Sequence, residues 1–318
     1  MKVYITQKLS SIAETLLKAN KINYEVFPKD RPITKKELIK NAKDADAVIS
    51  LLTDKIDKEV IDSLSNCKVI ANFAVGYNNI DVQYANSKNI IVTNTPDTLT
   101  DSTADLAITL ILACARRLFE SEKFLRAGKY KTWKPELLLG YELKNKTLGI
   151  IGAGRIGQAT AKRAASFGME ILYFNKSKKE KFEEELKAKK VSLNQLMKLS
   201  DFISVHLPLN LKTFHILNDK NLKLVKKNSI IVNTSRGEII DEKALLNLLK
   251  KNKNYIAGLD VFENEPFINK KLLKYKNVVI LPHIGSATIE ARTAMAKLAT
   301  ENVISVLKFK KPLNPVMF

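Results

Sequence analysis

Three side chains that together could handle a carboxylate and a proton stand at the ends of three successive strand-like stretches. Arg236 lies in Asn233-Thr234-Ser235-Arg236-Gly237, Glu265 in Asp260-Val261-Phe262-Glu263-Asn264-Glu265-Pro266, and His283 in Leu281-Pro282-His283-Ile284-Gly285-Ser286. In open parallel sheets ligands bind beyond the carboxyl ends of the strands, so the three can converge on one crevice. Arginine presents a planar fork that grips a carboxylate through two parallel hydrogen bonds, which lysine cannot do. A protonated histidine can give its proton to a carbonyl oxygen as hydride reaches the carbon. A neighbouring carboxylate favours the imidazolium and fixes the ring tautomer. The set suits reduction of a 2-keto acid. The structural alternative makes Arg236 and Glu265 an ion pair and His283 a helix cap.

A hydride needs a carrier, and a second motif points to one. Gly152-Ala153-Gly154-Arg155-Ile156-Gly157 follows the strand pattern Leu148-Gly149-Ile150-Ile151 and opens a helical stretch from Gln158 to Phe167. GxGxxG is informative only in this strand–turn–helix context. Gly152 permits the tight turn, Gly154 lets a pyrophosphate approach the backbone, and Gly157 lets helix and strand pack closely. The helix N-terminus then offers free N–H groups and positive dipole to the phosphates. The ribose-reading position lies about 20 residues on. There the chain has Asn175, followed by Lys176-Ser177-Lys178-Lys179, with no acidic residue. This loop suits a 2′-phosphate and favours NADPH over NADH; the alternative is a solvated basic loop. His206 also ends a strand, but Leu207-Pro208 follow it, which suits the adenine side of the cofactor. His215, in Thr213-Phe214-His215-Ile216-Leu217, reads as a packed or surface residue.

The elements that must position these groups follow from hydrophobic pattern. Short apolar strands alternate with helical patterns almost throughout, which predicts parallel sheets with helices on both faces. Early strands are expected at Val3–Ile5 and near 46–49, 68–71 and 89–92. A later series is expected at Thr147–Ile151, Glu170–Phe174, Phe202–Val205, Ser229–Asn233, Ile256–Asp260 and Val278–Leu281. Thr100 to Ala127 reads as one long helix capped by Thr100 and stopped at Gly128, and Ala287 to Lys308 as another. Between them, Lys129 to Asn145 is irregular and carries the single tryptophan, Trp133.

Length and composition bound the rest. A chain of 318 residues exceeds what one core usually serves, so two domains are expected. The longest apolar run, Leu106 to Ala115, is too short to cross a bilayer, and the N-terminus enters a strand pattern without a signal sequence. Cys67 and Cys114 sit in apolar surroundings, as reduced core thiols of a cytoplasmic protein would. The net charge of +20 is spread over scattered lysine pairs. No basic block interleaved with aromatics marks a nucleic-acid face, while a positive field would help collect anionic ligands. No metal-ligand cluster is expected.

With these residues on view, the sequence resembles the D-isomer-specific 2-hydroxyacid dehydrogenase family over nearly its whole length. The resemblance runs through Val75-Gly76-Tyr77-Asn78-Asn79-Ile80-Asp81, Asn94-Thr95-Pro96-Asp97, the GxGxxG segment, 233–237, 258–266 and 282–288. Thr132-Trp133-Lys134-Pro135, Gly140-Tyr141 and His283 to Thr288 make it most similar to the glyoxylate/hydroxypyruvate reductases of that family. The resemblance implies two Rossmann-like domains. One, residues 100–287, is a doubly wound dinucleotide-binding domain. The other, 1–99 with 288–318, is a smaller flavodoxin-like substrate domain. It implies catalytic roles for Arg236, Glu265 and His283, and substrate contacts at Leu51, Val75, Gly76, Arg236 and Ser286. It implies cofactor contacts at Thr103, Arg155, Ile156, Asn175, His206, Pro208, Thr234, Asp260 and Gly285; the glycine motif adds Gly152, Gly154 and Gly157, the basic loop adds Lys176, Ser177 and Lys178, and Thr213, Ser235 and His283 complete the expected cofactor set. A homodimer is implied, with Trp133 reaching the partner's active site. Many members have Asp where Asn175 stands, so NAD does not carry over directly. Other D-2-hydroxy acids, such as D-lactate or phosphoglycerate, and a non-enzymatic dinucleotide-sensing role on the same fold stay open at this point.

Overall fold

Alternating short strands and helices build two parallel sheets in the computed structural model, which describes residues 1–316. The chain divides into two compact units, Met1–Leu99 with the segment from Ala287 onward, and Thr100–Ser286.

The first unit holds β1 (Lys2–Ile5), α1 (Ile12–Ala19), β2 (Asn23–Val26), α2 (Lys35–Ala42), β3 (Ala47–Leu51), α3 (Lys58–Ser63), β4 (Val69–Phe73), α4 (Val82–Ser87) and β5 (Ile91–Thr93). All its strand pairs are parallel, in the order β2-β1-β3-β4-β5, which is the flavodoxin-like order. Strands buried on both faces read as nearly continuous apolar runs, and the core accordingly has two halves. Tyr4, Val48, Ile70 and Val92 meet α2 and α3 through Leu38, Val60 and Ile61. Val3, Ile5, Ile49 and Val69 meet Leu17 of α1 and Met295, Ala299 and Val303 of the terminal helix α12 (Ile289–Phe309). Thr288 caps α12 by accepting a hydrogen bond from Ala291 N–H, so the expected tail helix is present, shifted by two residues at its start. The sequence reading missed β2. Its residues alternate exposed and half-buried, as an edge strand does, so no apolar face announced it.

The second unit begins with α5 (Thr100–Ala115) and α6 (Leu118–Arg126). The expected single helix is therefore broken. Arg117 adopts the left-handed conformation at φ 52° and forks its guanidinium onto Glu120, opening a new helix there. Thr100 is the first residue of α5 rather than a residue before it. The sheet follows as β6 (Thr147–Ile151), α7 (Arg155–Ser166), β7 (Glu170–Phe174), α8 (Glu180–Leu186), β8 (Lys189–Lys190), α9 (Leu193–Leu199), β9 (Phe202–Val205), α10 (Asp219–Leu222), β10 (Ile230–Asn233), α11 (Glu242–Lys251), β11 (Ile256–Leu259) and β12 (Val278–Ile280). Its seven strands, all parallel, run β12-β11-β10-β9-β6-β7-β8. That is the doubly wound dinucleotide-binding order with one extra strand, and its direction reverses between β6 and β9. The two-residue β8, both lysines exposed, carries no apolar signal and was not expected. No helix among the described residues is long and apolar enough to cross a membrane.

Candidate active site

The glycine-rich turn sits where β6 hands over to α7, at the point of strand reversal. Gly152 has φ +99°, and a Cβ there would lie 2.9 Å from the backbone of His206 and Leu207. The turn therefore passes against the end of β9, an approach only glycine allows. At Gly157 a Cβ would meet the Gly152 carbonyl oxygen at 2.1 Å, so the first turn of α7 is packed hard on the loop. Gly154, the residue before α7, is the opposite case: a Cβ there would meet nothing within 4 Å. Open space beside a helix N-terminus with unsatisfied N–H groups is what a pyrophosphate requires. Thr234 Oγ1, at the end of β10, is buried without a hydrogen-bond partner, a polar atom poised for a ligand. These features fit a dinucleotide.

The ribose loop is less open than its composition suggested. Asn175 turns its amide back onto the Ser177 carbonyl at 3.0 Å. Lys178 pairs with Glu183 at 3.3 Å, and Lys190 reaches the Lys176 carbonyl. His206 Nε2 lies 2.8 Å from Ser204 Oγ, and burial pushes its pKa down to about 3, so it is neutral and no proton donor at ordinary pH. Thr213 uses its hydroxyl to close the turn after Pro208, donating to the Pro208 carbonyl at 2.6 Å. Arg155 and Pro208 are exposed and Ile156 is half-buried.

The three proposed catalytic residues come from the ends of β10, β11 and β12, as their strand positions implied. His283 Nδ1 is 2.6 Å from Glu265 Oε2. The other Glu265 oxygen accepts the Phe262 N–H at 2.9 Å, so one carboxylate is pinned at both ends. Burial opposes ionisation of Glu265, but His283, the Phe262 N–H and Arg236 outweigh it and hold the carboxyl below its ordinary range. His283 itself has φ +54°, an uncommon conformation for a side chain of its size. Asp260 holds the turn after it: its two oxygens accept the Ile284 and Gly285 N–H groups at 2.7 and 2.8 Å. Burial raises the Asp260 pKa in spite of those bonds. Thr103, on α5, donates to the Gly285 carbonyl at 3.1 Å and fixes the turn from the other side.

Arg236 is half-buried, and burial lowers its pKa against the opposing pull of Glu265 and Glu238. It remains a cation, because arginine starts from so high a value. Its backbone is set by Asn233, whose amide donates to the Arg236 carbonyl at 2.8 Å while its oxygen accepts Ser235 N–H and Oγ–H. Gly237 lets this turn approach the segment after β11: a Cβ there would fall 1.9 Å from the Phe262 carbonyl carbon. Sequence reasoning missed the work of Asn233 and Gly237. A buried polar residue ending an apolar strand, and a glycine directly after a functional arginine, were the available signals. It also missed the partner of His215, whose Nε2 is hydrogen-bonded to Glu263 while its ring stacks on Phe214 at 3.9 Å.

The remaining expected residues lie elsewhere. Leu51 ends β3, and Val75 and Gly76 form the loop after β4, all in the first unit. Ser286 closes the turn after Gly285. Trp133 is 72% exposed, and the segment around it borders an open apolar groove lined by Leu118, Phe124, Leu125, Tyr130, Leu137 and Leu139. Among the described residues no group of His, Cys, Asp and Glu could hold a metal ion.

Known proteins share this fold. Residues 108–285 match the family described as D-isomer specific 2-hydroxyacid dehydrogenase, NAD binding domain. The chain is 48% identical over 323 residues to a glyoxylate reductase of Thermococcus litoralis, covering 99% of this chain and 96% of that one. A solved structure of a protein from Thermus thermophilus superposes with a TM-score of 0.93 at 40% identity, covering 100% of both chains. An NADPH-dependent glyoxylate/hydroxypyruvate reductase of Sinorhizobium meliloti, solved with NADP and malonate, gives 0.87 at 30% identity, covering 99% and 96%.

Proposed function

The chain belongs to the D-isomer-specific 2-hydroxyacid dehydrogenase family, and we propose that within it this protein reduces glyoxylate and hydroxypyruvate to the corresponding D-2-hydroxy acids, with NADPH favoured over NADH. The observation that carries the reading is the His283–Glu265 pair at 2.6 Å, at strand ends neighbouring that of Arg236 and in the same sheet as the glycine turn. A nicotinamide dinucleotide held at the glycine turn by Gly152, Gly154 and the N-terminus of α7 would supply the hydride. Arg236 grips the substrate carboxylate bidentately and orients the keto group. His283 gives its proton to the keto oxygen as the alcohol forms, and in the reverse direction takes it back. Glu265 holds the ring by Nδ1 and stabilises its positive charge, leaving Nε2 to face the substrate. In the first unit the Val75 and Gly76 N–H groups bind the carboxylate, and Leu51 lines the pocket for a small side chain.

Asn175 carries the cofactor preference. A carboxylate there would repel a 2′-phosphate, and asparagine removes that repulsion. Lys178 has to leave Glu183 to reach the phosphate, so the attraction is shared and the discrimination modest, about tenfold. The structurally similar Sinorhizobium meliloti enzyme is one that uses NADPH, which supports this direction.

The exposed apolar residues of α6 and the Trp133 segment suit a second copy of the chain, and we assign the homodimer to this face. The two buried, unpaired thiols suit a reducing cytoplasm. A substrate panel tests the function: glyoxylate, hydroxypyruvate, pyruvate and phosphohydroxypyruvate with either reduced cofactor, followed by nicotinamide absorbance. Glyoxylate with NADPH is expected to give the highest kcat/KM or to share it with hydroxypyruvate. A clear preference for pyruvate or phosphohydroxypyruvate would overturn the substrate assignment.

A further inference from the structure

Three consecutive carbonyls in the loop after β4 are all taken up by hydrogen bonds within the first unit. Ala74 O accepts the Thr95 N–H at 2.9 Å, Val75 O accepts the Asn94 side-chain amide at 2.8 Å, and Gly76 O accepts the Asn72 side-chain amide at 2.8 Å. In a trans peptide the N–H points opposite to the preceding carbonyl. Fixing each carbonyl therefore also fixes the N–H of the same peptide, those of Val75, Gly76 and Tyr77, pointing away from the bonded partner. Among the described residues, none of those three N–H groups has a hydrogen-bond acceptor. Successive free N–H groups of this kind form a concavity for an anion.

We propose that Asn72, Asn79 and Asn94 are positioning residues that aim the 75–77 amides at the substrate carboxylate, a clamp that selects for the acid without using charge. The proposal rests on the carboxylate role assigned above to Val75 and Gly76. Asn72 is fully buried and is itself locked: its oxygen accepts Ser50 Oγ–H at 3.2 Å, and it exchanges amide bonds with Asn79. Asn79 also donates to the carbonyls of Leu51 and Asp54, each at 3.0 Å. Asp54 in turn accepts the Leu51 N–H at 2.7 Å and the Thr6 hydroxyl. The network thus joins the ends of β1, β3 and β4 and ties Leu51 to the same frame as the loop. Amides suit the task because each offers both donor and acceptor. Aspartate would face a carbonyl with a second acceptor and repel the anion, whereas lysine would bind the anion itself and blunt discrimination between acid and neutral analogue.

Asn94→Leu removes the donor at nearly constant volume. The expected result is a rise of about tenfold in KM for glyoxylate and in the inhibition constant of oxalate, with kcat and cofactor KM little changed. Asn94→Gln, which keeps a donor, recovers part of the loss, and Asn72→Ser gives the same split should Asn94→Leu fold poorly. Unchanged KM and oxalate inhibition in both Asn94→Leu and Asn72→Ser, whose hydroxyl is too short to reach the Gly76 carbonyl, would overturn the clamp, as would an equal rise in cofactor KM, the mark of general damage. Gly76→Pro, with Val75→Pro as its alternative, separates the two layers of the argument by deleting an N–H outright. Oxalate inhibition that survives the proline variants removes the loop from carboxylate binding altogether. Inhibition lost with proline but kept with Asn94→Leu and Asn72→Ser leaves the loop in its role and removes only the clamp.

Discussion

The carboxyl edges of the two sheets are built from the same alternation of strand and helix, yet they carry opposite chemistry. Around the 75–77 loop of the first unit the polar groups are neutral amides and backbone N–H groups, held by Asn72, Asn79 and Asn94, with the buried Asp54 bracing Leu51 and Thr6 behind them. At the edge of the second unit they are ions: Arg236, Glu265 and His283, with Asp260 bracing the turn. Neutral donors can be buried at little cost when every one is paired, and they give direction. Buried ions cost desolvation but can move a proton and shift one another's titration. Two edges of one architecture thus divide into a part suited to holding and a part suited to reacting.

Four substitutions in the second unit sharpen that contrast, starting from the largest effect. His283→Gln keeps a polar side chain but removes the proton donor, so kcat should fall by about 10²–10⁴ while cofactor KM stays near normal. A kcat within about tenfold of the parent enzyme would take His283 out of the acid–base role. Gly237→Ala should act through the backbone. Its Cβ would fall 1.9 Å from the Phe262 carbonyl carbon and force the Arg236 turn away from the segment that carries Glu265. A loss of stability of about 1–3 kcal/mol in denaturant unfolding is expected, with a larger proportional loss in kcat/KM than in folded fraction. A variant that unfolds and reacts like the parent would show that the close approach is not needed.

The third effect is one of pH rather than size. Glu265 is held ionised below its ordinary range, and its carboxylate lies 2.6 Å from His283 Nδ1. Glu265→Gln removes that charge. The alkaline limb of kcat/KM for reduction, where the proton donor is lost, should move to lower pH. Movement to higher pH, or none, contradicts the pairing. The smallest effect belongs to the ribose loop. Asn175→Asp should lower kcat/KM for NADPH by about tenfold and leave NADH use equal or improved. A parent enzyme that already prefers NADH would make Lys176 and Lys178 ordinary solvated surface, in keeping with the Lys178–Glu183 pair.

What the sequence determined by itself was set by local pattern. Strand periodicity placed Arg236, Glu265 and His283 at the ends of β10, β11 and β12, and the spacing of Gly152, Gly154 and Gly157 placed the turn between β6 and α7, because each such position depends only on a few neighbouring residues. The parallel, two-sheet architecture followed from the same rhythm. Tertiary structure alone decided matters that depend on residues far apart in the chain. His215 and Glu263, 48 positions apart, gave no sign that they would meet. Nor did Asn94 and Val75, whose bond joins the ends of two different strands. The edge strands β2 and β8 lacked an apolar face to reveal them, and the break at Arg117 depends on a backbone conformation that its sequence neighbours do not demand. Lys178 is an intermediate case: its type and place suited a phosphate, but Glu183 in the first turn of α8 lies 3.3 Å away and competes for it, a local pair that the charge pattern alone did not single out.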